Sequence, residues 1–452
     1  MLKRWLVAGC AALALLAPAA VYAQTCTNVA TGNWGTAATW NCTVLPAARV
    51  PTNADNVVII NNTTVTVNIA NAVAGSVTIN GGANSSSLTL GAGSALTVTN
   101  AGGLSGDVVI NAPTAGVTKQ VNVATQTLTV TGNVTINGGT TTASAANIAQ
   151  LSVTTGTVNI GGNLVMTGGT VQSFAQIALT TGTINVAGNI ALTGGGAANR
   201  VARISITGAS AVGAGVNVNG TLNINATVAA SSTVTLGTGS RMRVTGAVTN
   251  NDTLNIGAGL FTAQSTLTTG TATNAIAAST TVTTGTLSVT GDTTVTSGTN
   301  GLKTMTLGNG TMTLSGNLNV TAAPATLDTG DATVSVTGTG TLNVGGSATV
   351  TGGTNANRDA LLTVSGVSGV GAGINISGGL TIAATAAGSS TVSLTNASSR
   401  MTVNGTAGVI NNDTMTVGVG IFGITNAGAT LTIGSGASTI AATTAVTTGA
   451  LT

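Results

Sequence analysis

Residues 127–285 of this chain recur, imperfectly, as residues 286–449. The first copy opens with Thr127-Leu128-Thr129-Val130-Thr131-Gly132-Asn133 and the second with Thr286-Leu287-Ser288-Val289-Thr290-Gly291-Asp292. The correspondence persists: Ala198-Asn199-Arg200 returns as Ala356-Asn357-Arg358, Val212-Gly213-Ala214-Gly215 as Val370-Gly371-Ala372-Gly373, and Asn251-Asp252-Thr253 as Asn412-Asp413-Thr414. Inside each copy a shorter unit repeats: Gly-Thr, an alternating strand, a Gly-centred turn usually carrying Asn, and a second alternating strand. Gly156-Thr157-Val158-Asn159-Ile160-Gly161-Gly162-Asn163-Leu164-Val165-Met166 is one example; others begin at Gly182, Gly310 and Gly340, at spacings of 26, 25 or 30 residues. Apolar residues alternating with Thr or Asn form the half-buried strand pattern. Tandem units of this kind mark an elongated architecture in which each repeat buries its apolar face against the next.

Two all-β architectures satisfy this pattern: an elongated parallel β-helix, or tandem β-sandwiches of roughly 80–100 residues each. Aromatic content separates them. Across residues 61–452 the aromatics are Phe174, Phe261 and Phe422, whereas a sandwich core usually carries a large ring. A narrow β-helix is filled by stacked Val, Ile, Leu and Ala, so the sequence favours the β-helix. With roughly 22 residues per coil and ~4.8 Å between strands, the expected rod is on the order of 80–90 Å long.

Charged residues make up 4% of the chain, against roughly 25% in ordinary domains. There is no His and no Glu, so Asp supplies all 8 acids. High Thr, Val and Ile content with little charge is the reverse of a disordered composition. Residues 1–23 read as a secretory signal: Lys3 and Arg4 are basic, residues 5–16 are apolar, and Val21-Tyr22-Ala23 is a small-x-small site before Gln24. A lipoprotein reading through Val7-Ala8-Gly9-Cys10 is disfavoured because few apolar residues precede Cys10 and the apolar run continues beyond it. Removal of residues 1–23 leaves 9 basic and 8 acidic residues, scattered without runs. Nucleic-acid binding therefore has no electrostatic footprint, and no further stretch is long and apolar enough for a membrane helix.

Cys26 and Cys42 remain after cleavage. In an exported chain an isolated pair is most simply a disulfide, the alternative being two free thiols. No zinc site of about four ligands can be assembled, and no cofactor is expected. Residues 24–60 also hold Trp34, Trp40, Pro46 and Pro51, and are expected to cap the first coil, since solenoid ends need covering. Residues 61–126 form a β-rich lead-in to the two copies, 127–285 and 286–449. Residues 450–452 stand at the threshold of a third copy, which leads to the expectation of a longer protein or a truncated reading frame.

The cap carries a family echo. Gly32-Asn33-Trp34, Ala38-Thr39-Trp40, Val50-Pro51 and Asp55-Asn56-Val57-Val58-Ile59 resemble the segment that opens many bacterial secreted β-strand-repeat proteins, and the start of the G8 domain. The downstream Gly-Thr strand units are similar to the passenger regions of filamentous-haemagglutinin-like adhesins and autotransporters. The resemblance implies an exported, surface-displayed or secreted β-helix, often adhesive. No outer-membrane barrel or other anchor is recognised within residues 1–452, a departure from the pattern of those families.

Without His or Glu, Asp must do any acid–base work. Asp328 with Asp331, and Arg358 beside Asp359, are the nearest to a polysaccharide-cleaving set, but turn aspartates usually cap local backbone groups. Calcium-binding nonapeptide and EF-hand loops are absent from the sequence. Thr-x-Thr strings such as Thr64-Val65-Thr66 and Thr233-Val234-Thr235 do not recur at one position of every coil, which argues against ice binding. Charges that return in both copies are Arg200 with Arg358, Arg241 with Arg400, and Asp252 with Asp413; Phe261 returns as Phe422. The plain reading is solvent-facing loop charges and one core ring per copy. The sharper reading is a recurrent surface patch of Arg200, Arg358, Arg241 and Arg400 that presents cations to anionic glycans. The expectation is a non-enzymatic, exported structural or adhesive protein of a Gram-negative-type bacterium. It would act as a rigid rod in surface attachment or a biofilm matrix, with surface or matrix glycans or its own copies as partners. The alternative is a glycan-binding or glycan-cleaving β-helix.

Overall fold

In the computed structural model the described residues are 24–452 except 102, 140–146, 171, 198, 272–275, 299–300, 323–329, 356, 358, 368–372, 384–385, 435–441 and 448. Alternation of Val, Ile and Leu with Thr and Asn builds short strands, and the chain winds them into a parallel β-solenoid of about 14 turns. Each full turn gives one strand to each of three sheets, of 17, 16 and 15 strands. Thr157–Ile160 lies in the third sheet, Leu164–Thr167 in the first and Ser173–Leu179 in the second. One turn later these stack on Thr183–Val186, Ile190–Thr193 and Arg200–Ile206. The strand–Gly–Asn–strand unit of the sequence is thus a corner between two sheets.

Every second residue of a strand points inward. Val158 and Ile160 are buried, and the outward Thr157 and Asn159 only partly so. Stacking turns these inward positions into continuous rows. In the third sheet one row runs Leu128, Val158, Ile184, Val216, Met242, Phe261 and then Leu287, Met312, Leu342, Ile374, Met401, Phe422. Methionine meets phenylalanine at the same place in both halves, where the polarisable thioether packs well against a ring. Phe261 and Phe422 are the one-per-copy core rings expected from the sequence.

The duplication is a whole number of turns. Third-sheet strands starting at Thr127, Thr157, Thr183, Gly215, Arg241 and Leu260 belong to the first copy, and those at Thr286, Thr311, Thr341, Gly373, Arg400 and Ile421 to the second, six each. A whole-turn duplication returns every residue to the same face.

Most turns are longer than the sequence estimate. Stacked partners lie between 19 residues apart, as at Arg241 and Leu260, and 33 apart, as at Ser86 and Lys119. The corners hold the surplus chain, which adds no height. At ~4.8 Å per turn the rod is about 65–70 Å long rather than 80–90 Å.

Gly and Asn at the corners have a shared cause. The side-chain oxygen of Asn133 accepts the backbone N–H of Asn163 at 2.8 Å, Asn163 accepts that of Asn189 at 2.8 Å, and Asn189 accepts that of Thr221 at 2.8 Å. Asp107 starts this ladder and Asp292 starts its second-copy counterpart, on Asn317. Such close stacking leaves no room for a side chain on the neighbouring glycine: a Cβ at Gly162 would sit 2.6 Å from Asn133 Oδ1 and 2.7 Å from the Gly132 carbonyl.

At the N-terminal end, Gln24–Asn28 pairs in parallel with Asp55–Ile59 and antiparallel with Trp40–Cys42. Cys26 and Cys42 face each other in that antiparallel register and are joined by a disulfide. Trp34 and Trp40 are buried edge-to-face with centroids 5.0 Å apart, and Trp40 Nε1 donates to the Trp34 carbonyl at 2.8 Å. Arg49 forks onto Asp55 at 2.5 and 2.6 Å and reaches Gln24 at 2.6 Å. Burial alone would raise the Asp55 pKa; the Arg49 fork and two bonds from Thr52 outweigh it and hold the carboxyl below its ordinary range.

Candidate functional site

The described acids that recur between copies are buried, which corrects their reading as solvent-facing loop charges. Asp252 accepts the N–H groups of Ala230 at 2.7 Å and Ser232 at 2.5 Å; Asp413 accepts those of Gly388 and Ser390, both at 2.7 Å. Each closes a corner in which the chain reverses, with Ala230 at φ +60° and Gly388 at φ +78°. Burial pushes the Asp252 carboxyl up, against hydrogen bonds that favour its charged form. Asp331 accepts the N–H of Asp359 at 3.2 Å. Burial raises the Asp359 pKa, and the neighbouring Asp331 and Asp413 raise it further. Asp328 and Arg358 lie outside the described residues, as do residues 1–23.

The three described recurrent arginines do not form one patch. Arg200 opens a second-sheet strand, Arg200–Ile206, whereas Arg241 and Arg400 open third-sheet strands, Arg241–Val244 and Arg400–Val403. All three are half-buried strand residues, not loop residues. Arg241 and Arg400 occupy equivalent positions six turns apart, a separation of about 29 Å.

Two outward-facing ladders come together only through the stacking. On the second sheet Gln150 donates to Gln120 at 2.8 Å, Gln176 donates to Gln150 at 2.5 Å, and the Arg203 guanidinium ends the row on Gln176 while lying 4.2 Å over the Phe174 ring. Burial lowers the Arg203 pKa. On the third sheet Asn185 donates to Asn159 at 2.9 Å and Asn217 donates to Asn185 at 3.0 Å. Arg243 is the next residue in that row.

The asparagine ladder floors a groove of about 800 Å³. Its wall is the loop between strands Arg200–Ile206 and Gly215–Val218, which brings Val212, Gly213 and Ala214 over the sheet. Arg241 Nε donates to the Ser210 carbonyl at 3.2 Å and Asn217 Nδ2 to the Gly213 carbonyl at 2.9 Å, so floor residues hold the wall. Gly213 and Gly215 adopt φ +83° and +90°, values that glycine tolerates and other residues rarely adopt. The lining contains two arginines, Arg241 and Arg243, and no acid.

Two lysines are buried inside the solenoid. Lys119 donates to Asn61 at 2.7 Å and Ser86 at 3.0 Å, and Lys303 donates to the Ile276 carbonyl. Burial lowers both pKa values to about 8. Among the described residues no group of three or more His, Cys, Asp or Glu could hold a metal ion, and no helix is long and apolar enough to cross a membrane. The chain matches no protein-family model, and no curated protein or solved structure matches it significantly.

Proposed function

We propose that this chain is an exported, non-enzymatic structural or adhesive surface protein that acts as a rigid β-rod in cell-surface attachment or a biofilm matrix. The observation that carries this reading is the six-turn duplication, which adds length while returning each residue to its own face. Commitment of five of the seven described acids to holding turns together supports it as well: Asp107 and Asp292 start corner ladders, Asp252 and Asp413 close corners, and Asp55 is paired with Arg49. Low charge reduces repulsion between neighbouring rods and favours lateral association.

The test has two arms. Expressed with its own residues 1–23 in a Gram-negative host, the chain should leave the cytoplasm and begin at Gln24 by mass spectrometry. Beads coated with the purified protein should adhere to a surface or to each other, less so when residues 127–285 are removed. Retention in the cytoplasm, or cleavage of acidic polysaccharides by the purified protein, overturns the reading.

A further inference from the structure

We infer that the groove over the Asn159–Asn185–Asn217 ladder is a binding site for an extended acidic polysaccharide, with Arg243 as the residue that pairs with its carboxylates. The inference concerns the third-sheet face of the first copy and stands whether or not the rod is displayed on a cell.

Three observations carry it. First, the floor offers side chains, not backbone, because the sheet's own N–H and C=O groups are spent on the turns above and below. A peptide seeking strand-like pairing has little to bind there. Carboxamides have two donor hydrogens and an acceptor oxygen each, more capacity than the ladder bonds consume, and Thr129 and Thr262 add hydroxyls at either end. Paired donors and acceptors suit sugar hydroxyls. Second, these groups recur once per turn, about 4.8 Å apart, comparable to the advance of one sugar ring along an extended chain. Third, the charge is one-sided: Arg241 and Arg243 line the groove without an acid. Arg241 is engaged with the wall, while Arg243 is exposed and makes one long bond, from Nη1 to Gln264 Oε1 at 3.4 Å, which leaves guanidinium donors for a forked carboxylate contact. The Val212 side chain, 87% exposed on the wall, gives an apolar edge for the face of a ring.

The second copy retains only part of this set. Asn375 donates to Asn343 at 3.0 Å, but Thr313 stands where Asn159 does and Thr402 where Arg243 does. The copies share a scaffold and differ in the guanidinium, which places the acidic-polymer site in the first.

Titration calorimetry of the full chain with a soluble polyuronate at low salt tests this, with an uncharged β-glucan and poly-aspartate as comparison polymers. The expected result is polyuronate binding that weakens with salt, weaker glucan binding, and little binding of poly-aspartate. Arg243→Gln should weaken polyuronate binding about tenfold, the effect of one charge-assisted contact. Val212→Asp, on an exposed loop position that folding does not need, should weaken it similarly, and Arg400→Gln should leave it unchanged. Absence of polyuronate binding, binding indifferent to Arg243→Gln and Val212→Asp, or equal binding of poly-aspartate overturns the inference. Loss of groove binding in these variants leaves bead adhesion intact if the rod reading alone is right, so the two fail separately.

Discussion

At the scale of single residues, this molecule commits several of its few acids, and asparagines beside them, to its own corners. Asn163 binds the turn above it through one side-chain oxygen, and Gly188 permits the approach, as Gly162 does for Asn133 one turn below. Asn163→Ala should cost about 1 kcal/mol, a typical net hydrogen bond. Gly162→Ala should cost more, because its Cβ would meet the Gly132 backbone as well as the Asn133 side chain; denaturant midpoints of the two variants check the order. The buried lysines give a pH signature. Their folded pKa values, about 8, lie below the ordinary 10.5. Between those values the unfolded chain holds protons that the folded chain lacks, so stability rises with pH through that window. Thermal midpoints measured at pH 7 and pH 10 should show a rise for the native chain and a flattened response for Lys119→Met/Lys303→Met. The alternation Thr157-Val158-Asn159-Ile160 declares its own inward and outward residues, and so was legible in the sequence. The burial of Asp252 and Lys303 was not, because a charge in a Gly- and Thr-rich stretch looks the same whether its corner closes inward or outward.

At the scale of strands and turns, the inward rows replace a conventional core. Phe261 sits between Met242 and Leu287, and Phe422 follows Met401 in the same row. Phe261→Ala should destabilise by about 3–5 kcal/mol, the range for a fully buried ring, and its hydrogen exchange should quicken most in the turns on either side, since each turn contacts chiefly its neighbours. Uniform acceleration along the rod would contradict this local coupling. The ladders explain what sequence reading could not reach. Gln120, Gln150, Gln176 and Arg203 align because their strands stack at separations of 30, 26 and 27 residues. Turn length varies with corner loops, so the partner of a given outward residue cannot be counted from the repeat alone. The groove depends on such an offset: the loop bearing Val212 is the surplus chain of a long turn.

At the scale of the whole molecule, the central claim is that the two copies are consecutive stretches of one continuous solenoid and not separate beads. The chain from Gln126 can pass directly to Thr286 in place of Thr127, since both residues open third-sheet strands at the same corner. Deleting residues 127–285 therefore removes six turns without breaking the stack. Small-angle X-ray scattering of the intact and shortened chains is the most direct test. The solenoid predicts a maximum dimension about 29 Å smaller in the shortened chain, with an unchanged cross-sectional radius. A changed cross-section, or a profile of linked globules in either chain, would contradict it.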